Sequence, residues 1–149
     1  MLRTVKGIAA SDGIGIAKAY LLIDPDLSFE KKTIDDPAAE YERVEKAFSA
    51  SIADLATIKQ NAKSRLSDEE LEVFDAHIAI LSDPEMKSQI KDEIESQHVS
   101  AEEAMTDVTT NFANVLAAMI DNKYMQERAA DVKDVAKRAL SHLLGKQLP

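Results

Sequence analysis

Apolar positions recur at three- and four-residue intervals through most of this chain, and only its first 23 residues break that rhythm. Asp36-Pro37 suits an N-cap followed by proline at the first helical position. Behind it come Tyr41, Val44, Phe48, Ile52, Leu55, Ile58, Ala62 and Leu66. That spacing predicts one helix of about 30 residues, roughly 45 Å long. Ser67 with Glu70 has the form of a capping box, and Leu71, Phe74, Ile78 and Leu81 follow as a second stripe. Asp83-Pro84 breaks this helix and restarts a shorter piece carrying Met86, Ile90 and Ile94. Ser100 with Glu103 reads as another capping box, ahead of Met105, Val108, Phe112, Val115 and Met119. The last helix is predicted to start near Asp121 and to bury Met125, Ala129, Val132, Ala136, Leu140 and Leu143. Gly145 stops it in the C′ position, with Lys137, Arg138 and His142 near the negative end of its dipole. Short connections make neighbours antiparallel. The expectation is mainly α: four helices in two helical hairpins, the second helix broken at Pro84.

The first 23 residues read differently. Val5 to Ala9 suits a short strand. From Ile14 to Ile23 two interleaved rows are both largely apolar, the pattern of a strand buried on both faces, with Ser11-Asp12-Gly13 as the turn before it. Nothing later resembles a good strand, and a lone hairpin is marginal in water. The expected β segment therefore belongs to a larger sheet.

Composition narrows the function. The 149 residues are 45% hydrophobic and 30% charged, with 18 Lys and Arg against 27 Asp and Glu, for a formal charge of −9. So negative a chain is a poor partner for nucleic acid, whose phosphates need clustered cations. With no cysteine, disulfides, zinc-thiolate sites and thiol catalysis drop out, which fits a reducing, cytoplasmic setting. No apolar run approaches the length of about 18 residues that a membrane span needs. The charge is uneven. Between Ser67 and Glu103 stand twelve carboxylates against only Lys87 and Lys91, whereas Lys123 onward is net basic. An acidic helical face is ordinarily a solvated one; the sharper reading is a docking surface for a basic partner, with Ile80 near its apolar core.

Candidate catalytic chemistry is sparse. Glu95 and His98 supply one Glu-x-x-His pair, and a di-metal bundle needs two. His77, beside the Phe74–Leu81 stripe, reads as a half-buried structural histidine, and His142 as a helix C-terminal cation. Gly13-Ile14-Gly15 lacks both the third glycine of a dinucleotide fingerprint and the Gly-Lys of a P-loop. No metal and no catalytic residue are assigned to these 149 residues.

Three stretches carry more. KGIAASDGIGIAKAYLL at the start, VFDAHIAILSDPEM in the middle and YMQERAADVKDVAKRALSHLLG near the end occur in this order. Together they closely resemble the opening of enzyme I of the bacterial phosphoenolpyruvate:sugar phosphotransferase system, Gram-positive type, over essentially the whole chain. The resemblance implies that residues 1–23 are a β segment of an incomplete α/β phosphohistidine domain. Residues 24–144 would be an inserted α-helical subdomain that docks the phosphocarrier protein HPr, and 145–149 the return into the α/β domain. The phospho-accepting histidine lies in a Gly-Gly-Arg-Thr-Ser-His motif that does not occur here, so the piece is expected to be inactive alone. Magnesium and phosphoenolpyruvate belong to a still later domain, and the parent is expected to be a homodimer through its C-terminal domain.

Carried over by motif position, the implied HPr contacts are the acidic Asp68, Glu69, Asp75 and Glu85, the apolar Ile80 and Leu116, and the cation Arg128. Ala79 stands where relatives usually carry a bulky Leu or Met, which shrinks the apolar contact. The alternative is a non-catalytic helical bundle that self-associates through its exposed strand edge.

Overall fold

Where the chain must cap its helices, it does so locally. The computed structural model describes residues 2–8 and 25–148, and its helices are α1 (Pro37–Ala62), α2 (Asp68–Leu81), α3 (Pro84–Gln97), α4 (Ala101–Ala117) and α5 (Lys123–Leu143). The Asp36 side chain accepts from the Ala39 amide at 3.2 Å, with Pro37 at the first helical position. Both halves of the Ser67/Glu70 box are present. Asp83 accepts from the Glu85 amide at 2.9 Å and starts α3 directly after the break. Helices α2 and α3 are thus the broken second helix that Pro84 predicts, and the chain is mainly helical as expected.

The differences are instructive. Helix α1 ends at Ala62 instead of running to Leu66, because Ser67 must be extended (ψ 163°) to cap α2, and residues 63–66 make the turn. The box at Ser100 keeps its serine half: Ser100 accepts from the Glu103 amide. The neighbouring Ala101 amide instead donates to Glu40 of α1 at 2.7 Å. Helix α5 takes Asn122 as its cap. Its other end is a Schellman motif. Gly145 has φ of 67°, its amide donates to the His142 carbonyl, and the Lys146 amide donates to Ser141.

The core gathers Val44, Phe48 and Leu55 of α1, Leu81 of α2, Met86, Ile90 and Ile94 of α3, Met105 and Val108 of α4, and Val132, Val135 and Ala139 of α5. Three expected core positions are exposed: Ile58, Met119 and Val115, the last 62% accessible. Helix α4 has 17 residues against 14 in α3. The two are joined by three residues, so α4 outruns its neighbour before Val115 is reached. Glu40, Arg43 and buried Glu102 tie α1 to α4, and Arg43 also donates to the Leu143 carbonyl at the end of α5.

Residues 5–8 form no strand, and Leu2, Val5 and Ile8 are exposed; a strand needs a partner, and none stands beside this segment among the described residues. Their only β pairing is an isolated bridge, Thr33 with Val99. The strand expected over Ile14–Ile23, its turn and Gly13-Ile14-Gly15 lie outside the described residues.

Candidate functional site

Successive turns of α2 present Glu69, Glu72, Val73 and Ala76 on one side, and successive turns of α5 answer with Tyr124, Glu127, Arg128 and Asp131. Between them runs a shallow groove of about 240 Å³. Glu69, Glu72 and Glu127 have no ion-pair partner among the described residues, so the walls carry uncompensated negative charge. Among the described residues, the one cation lining the groove is Arg128. Its Nε–H and Nη2–H both donate to the Tyr124 hydroxyl, at 3.1 and 2.7 Å, and its guanidinium lies 5.0 Å from that ring's centroid. Asp131 Oδ2 stands 3.8 Å from Nη1, and Asp131 Oδ1 accepts from His77 Nε2 across the groove at 3.0 Å. Tyr124 and Val73 remain substantially exposed, an apolar border to a charged floor.

The implied contact residues fall into distinct places. Glu69 and Arg128 meet in this groove. Asp68 is exposed in the first turn of α2. Asp75, six residues beyond Glu69, lies about 120° round the helix. It faces α1 and pairs with Lys59 at 2.7 Å. Ile80 and Leu116 are half-buried and both rest against the core. Glu85, exposed in the first turn of α3, accepts from Gln89. Glu69 and Arg128 therefore meet in the α2–α5 groove, whereas Asp75 stands on the α1 side and Asp68, seven residues before it, lies on the same face of α2.

Six groove residues were not singled out as contacts from the sequence: Glu72, Val73, Ala76, Tyr124, Glu127 and Asp131. The signal was present, since Tyr124 and Arg128 are four residues apart and Arg128 and Asp131 three. His77 is the half-buried structural histidine expected, with its side chain 14% exposed. His98 ends α3 in the left-handed conformation (φ 51°), its Nδ1–H donating to the Ile34 carbonyl. His142 donates to Asp54 at 2.7 Å.

Donor atoms of His77, Asp131 and Asp134 lie within 4.8 Å of one another. They make a poor magnesium site, because that ion wants an open, all-oxygen octahedron. Here one donor is imidazole, and Asp131 is already engaged by His77 and Arg128. A larger cleft of about 510 Å³ lies between α1 and the end of α5, lined by Asp54, Arg138, His142 and Lys146. Its charges largely answer each other, Asp54 with both Arg138 and His142, and it holds none of the expected contacts. The α2–α5 groove is where the sequence motifs converge.

A helical subdomain with this acidic groove defines a class, and residues 6–128 match the family described as PEP-utilising enzyme, N-terminal. The chain belongs to that family. It is 52% identical over all 149 residues to a phosphoenolpyruvate-protein phosphotransferase of Streptococcus equinus and equally to one of Enterococcus faecalis. A Staphylococcus carnosus protein of the same description is 46% identical. The chain spans about a quarter of these curated relatives' length, 26% in each case. Its fold is similar to a solution structure of an Enzyme I protein, with TM-score 0.86 and 31% identity over 95% of this chain and 58% of that one. It is also similar to the N-terminal domain of an enzyme described as Enzyme 1 - Nitrogen (TM-score 0.71, 28% identity, 78% and 48% covered). No described helix is long and apolar enough to cross a membrane.

Proposed function

We propose that this chain is the HPr-docking part of a phosphoenolpyruvate-protein phosphotransferase. Residues outside these 149 would receive a phosphoryl group from phosphoenolpyruvate on a histidine, and that histidine would pass it to a histidine of HPr in sugar uptake, in the cytoplasm. Such a transfer depends chiefly on in-line positioning and charge neutralisation. The present residues contribute positioning: they hold HPr so that the two histidines meet. Magnesium, the phosphoenolpyruvate site and the dimer contact are assigned to other parts of the same enzyme.

The carrying observation is the α2–α5 groove, where unpaired Glu69, Glu72 and Glu127 surround one oriented guanidinium. A basic protein is steered there by the carboxylates, and Arg128 supplies the one positive contact among them. Asp68, Glu69 and Glu85 would form the charged margin and Ile80 with Leu116 the apolar contact, whereas Asp75, engaged by Lys59 on the α1 side, would contribute only to the long-range field. None of the three histidines suits the role of phospho-acceptor: His77 and His142 each hold a carboxylate, which would repel a phosphoryl group, and His98 bonds to a backbone carbonyl.

Isotope-labelled chain titrated with HPr at low salt tests this. Amide shifts are expected over α2, near Leu116 and over residues 124–131, shrinking as salt rises. Arg128→Glu and Ile80→Glu should each weaken binding by about 2–5 kcal/mol if the contact is desolvated. Absence of shifts at low salt, or shifts confined to the α1–α5 cleft, would sink the proposal.

A further inference from the structure

Arg128 would be a poor recognition element if it were loose. A free arginine has many rotamers, and that freedom is lost when a partner orders it. In this chain that ordering is already done, and residues outside the docking contacts do part of it. The Tyr124 hydroxyl takes Nε–H and one Nη2–H of the guanidinium. Asp131 stands at 3.8 Å on the Nη1 side. Asp131 is itself held by His77, 54 positions away in sequence, across a 3.0 Å bond from the opposite wall of the groove. Of five guanidinium N–H groups, at least two on Nη1 and Nη2 are left for an acceptor on a partner.

We infer that His77 and Asp131 are positioning residues for Arg128: the bond between them fixes where the guanidinium sits relative to α2, so docking strength depends on side chains that need not touch the partner. The inference rests on the docking reading above. Mere stapling of α2 to α5 is the competing role, and the two differ in what Asp131→Asn does. That variant can still take the hydrogen bond from His77 but removes the charge beside Arg128.

The test uses the full chain with HPr as the probe. In the wild type the Arg128 Nε–Hε resonance should be a distinct, slowly exchanging signal. Asp131→Asn and His77→Ala should each move it toward that of a free arginine. HPr affinity should fall about three- to tenfold in each, the cost of ordering one long side chain on binding. His77→Gln, which places an amide N–H near the Nε2 position, should restore both readouts. In an Arg128→Ala background, Asp131→Asn should cause no further loss. An unchanged Nε–Hε signal in Asp131→Asn overturns the inference, as does an equal affinity loss with and without Arg128. If the wild type binds no HPr, the docking reading falls, and the positioning role then stands or falls on the Nε–Hε signal alone.

Discussion

Glu93 shows how a single carboxyl can set a pH dependence for the whole helical unit. One of its oxygens is buried between α3 and α4 with no hydrogen-bond partner among the described residues. Burial, then the Asp107 charge, a hydrogen bond to Asp107 and the Glu103 charge push its pKa from 4.5 up to about 7. A pKa raised on folding means that stability is fullest below about 4.5 and drains away as pH climbs through 7. Stability should therefore fall between pH 5.5 and 8. Melting curves at those two pH values check it. Glu93→Gln should flatten the difference and be the more stable protein at pH 8, whereas parallel curves would refute the assignment. The residue scale was only partly legible in the sequence: Glu93 reads as one more exposed acid in an acidic run. Its burial depends on α4, which no local pattern reveals.

Among the helices, the termini were the most legible features and the inward faces the least. Caps are local chemistry. Ser67, Asp83, Ser100 and Gly145 act within three or four residues of themselves, so their roles follow from adjacent sequence. Ser67→Ala should cost about 1 kcal/mol by freeing the Glu70 amide at the start of α2. Denaturant unfolding measures that directly, and faster amide exchange in residues 68–71 should accompany it. Gly145→Ala should also cost about 1 kcal/mol, and wholly through the backbone. A Cβ there meets nothing within 4 Å, but φ is +67°. Asn at the same position should recover part of the loss. Inward faces behave otherwise. Val115 shares its period with Val108 yet faces water, because exposure at the end of α4 is decided by how far α3 extends alongside it.

At the scale of the whole molecule, charge separates rate from strength. Asp68 and Glu69 lie on exposed turns of α2, where screening limits any one of them to a small share of affinity. If the proposed docking holds, replacing both by Asn and Gln should slow HPr association severalfold at low salt and leave dissociation nearly unchanged; stopped-flow mixing at two ionic strengths separates the rates. A change carried mainly by dissociation would place these residues inside the contact and not on its margin. The salt dependence should track the acidic stretch from Ser67 to Glu103, since the basic residues after Lys123 include Arg138, whose charge is answered by Asp54.

The sequence by itself determined the helices, their breaks and caps, the acidic bias and the motifs that mark the family, because each rests on neighbours within a few positions or on composition. The tertiary structure decided which of those residues share a site. It drew Glu69 to Arg128, turned Asp75 away to Lys59, and joined His77 to Asp131 across 54 positions. Periodicity gives each helix a face but not the helix it meets. Only the docking of α5 against α2 turns two separate motifs into one groove.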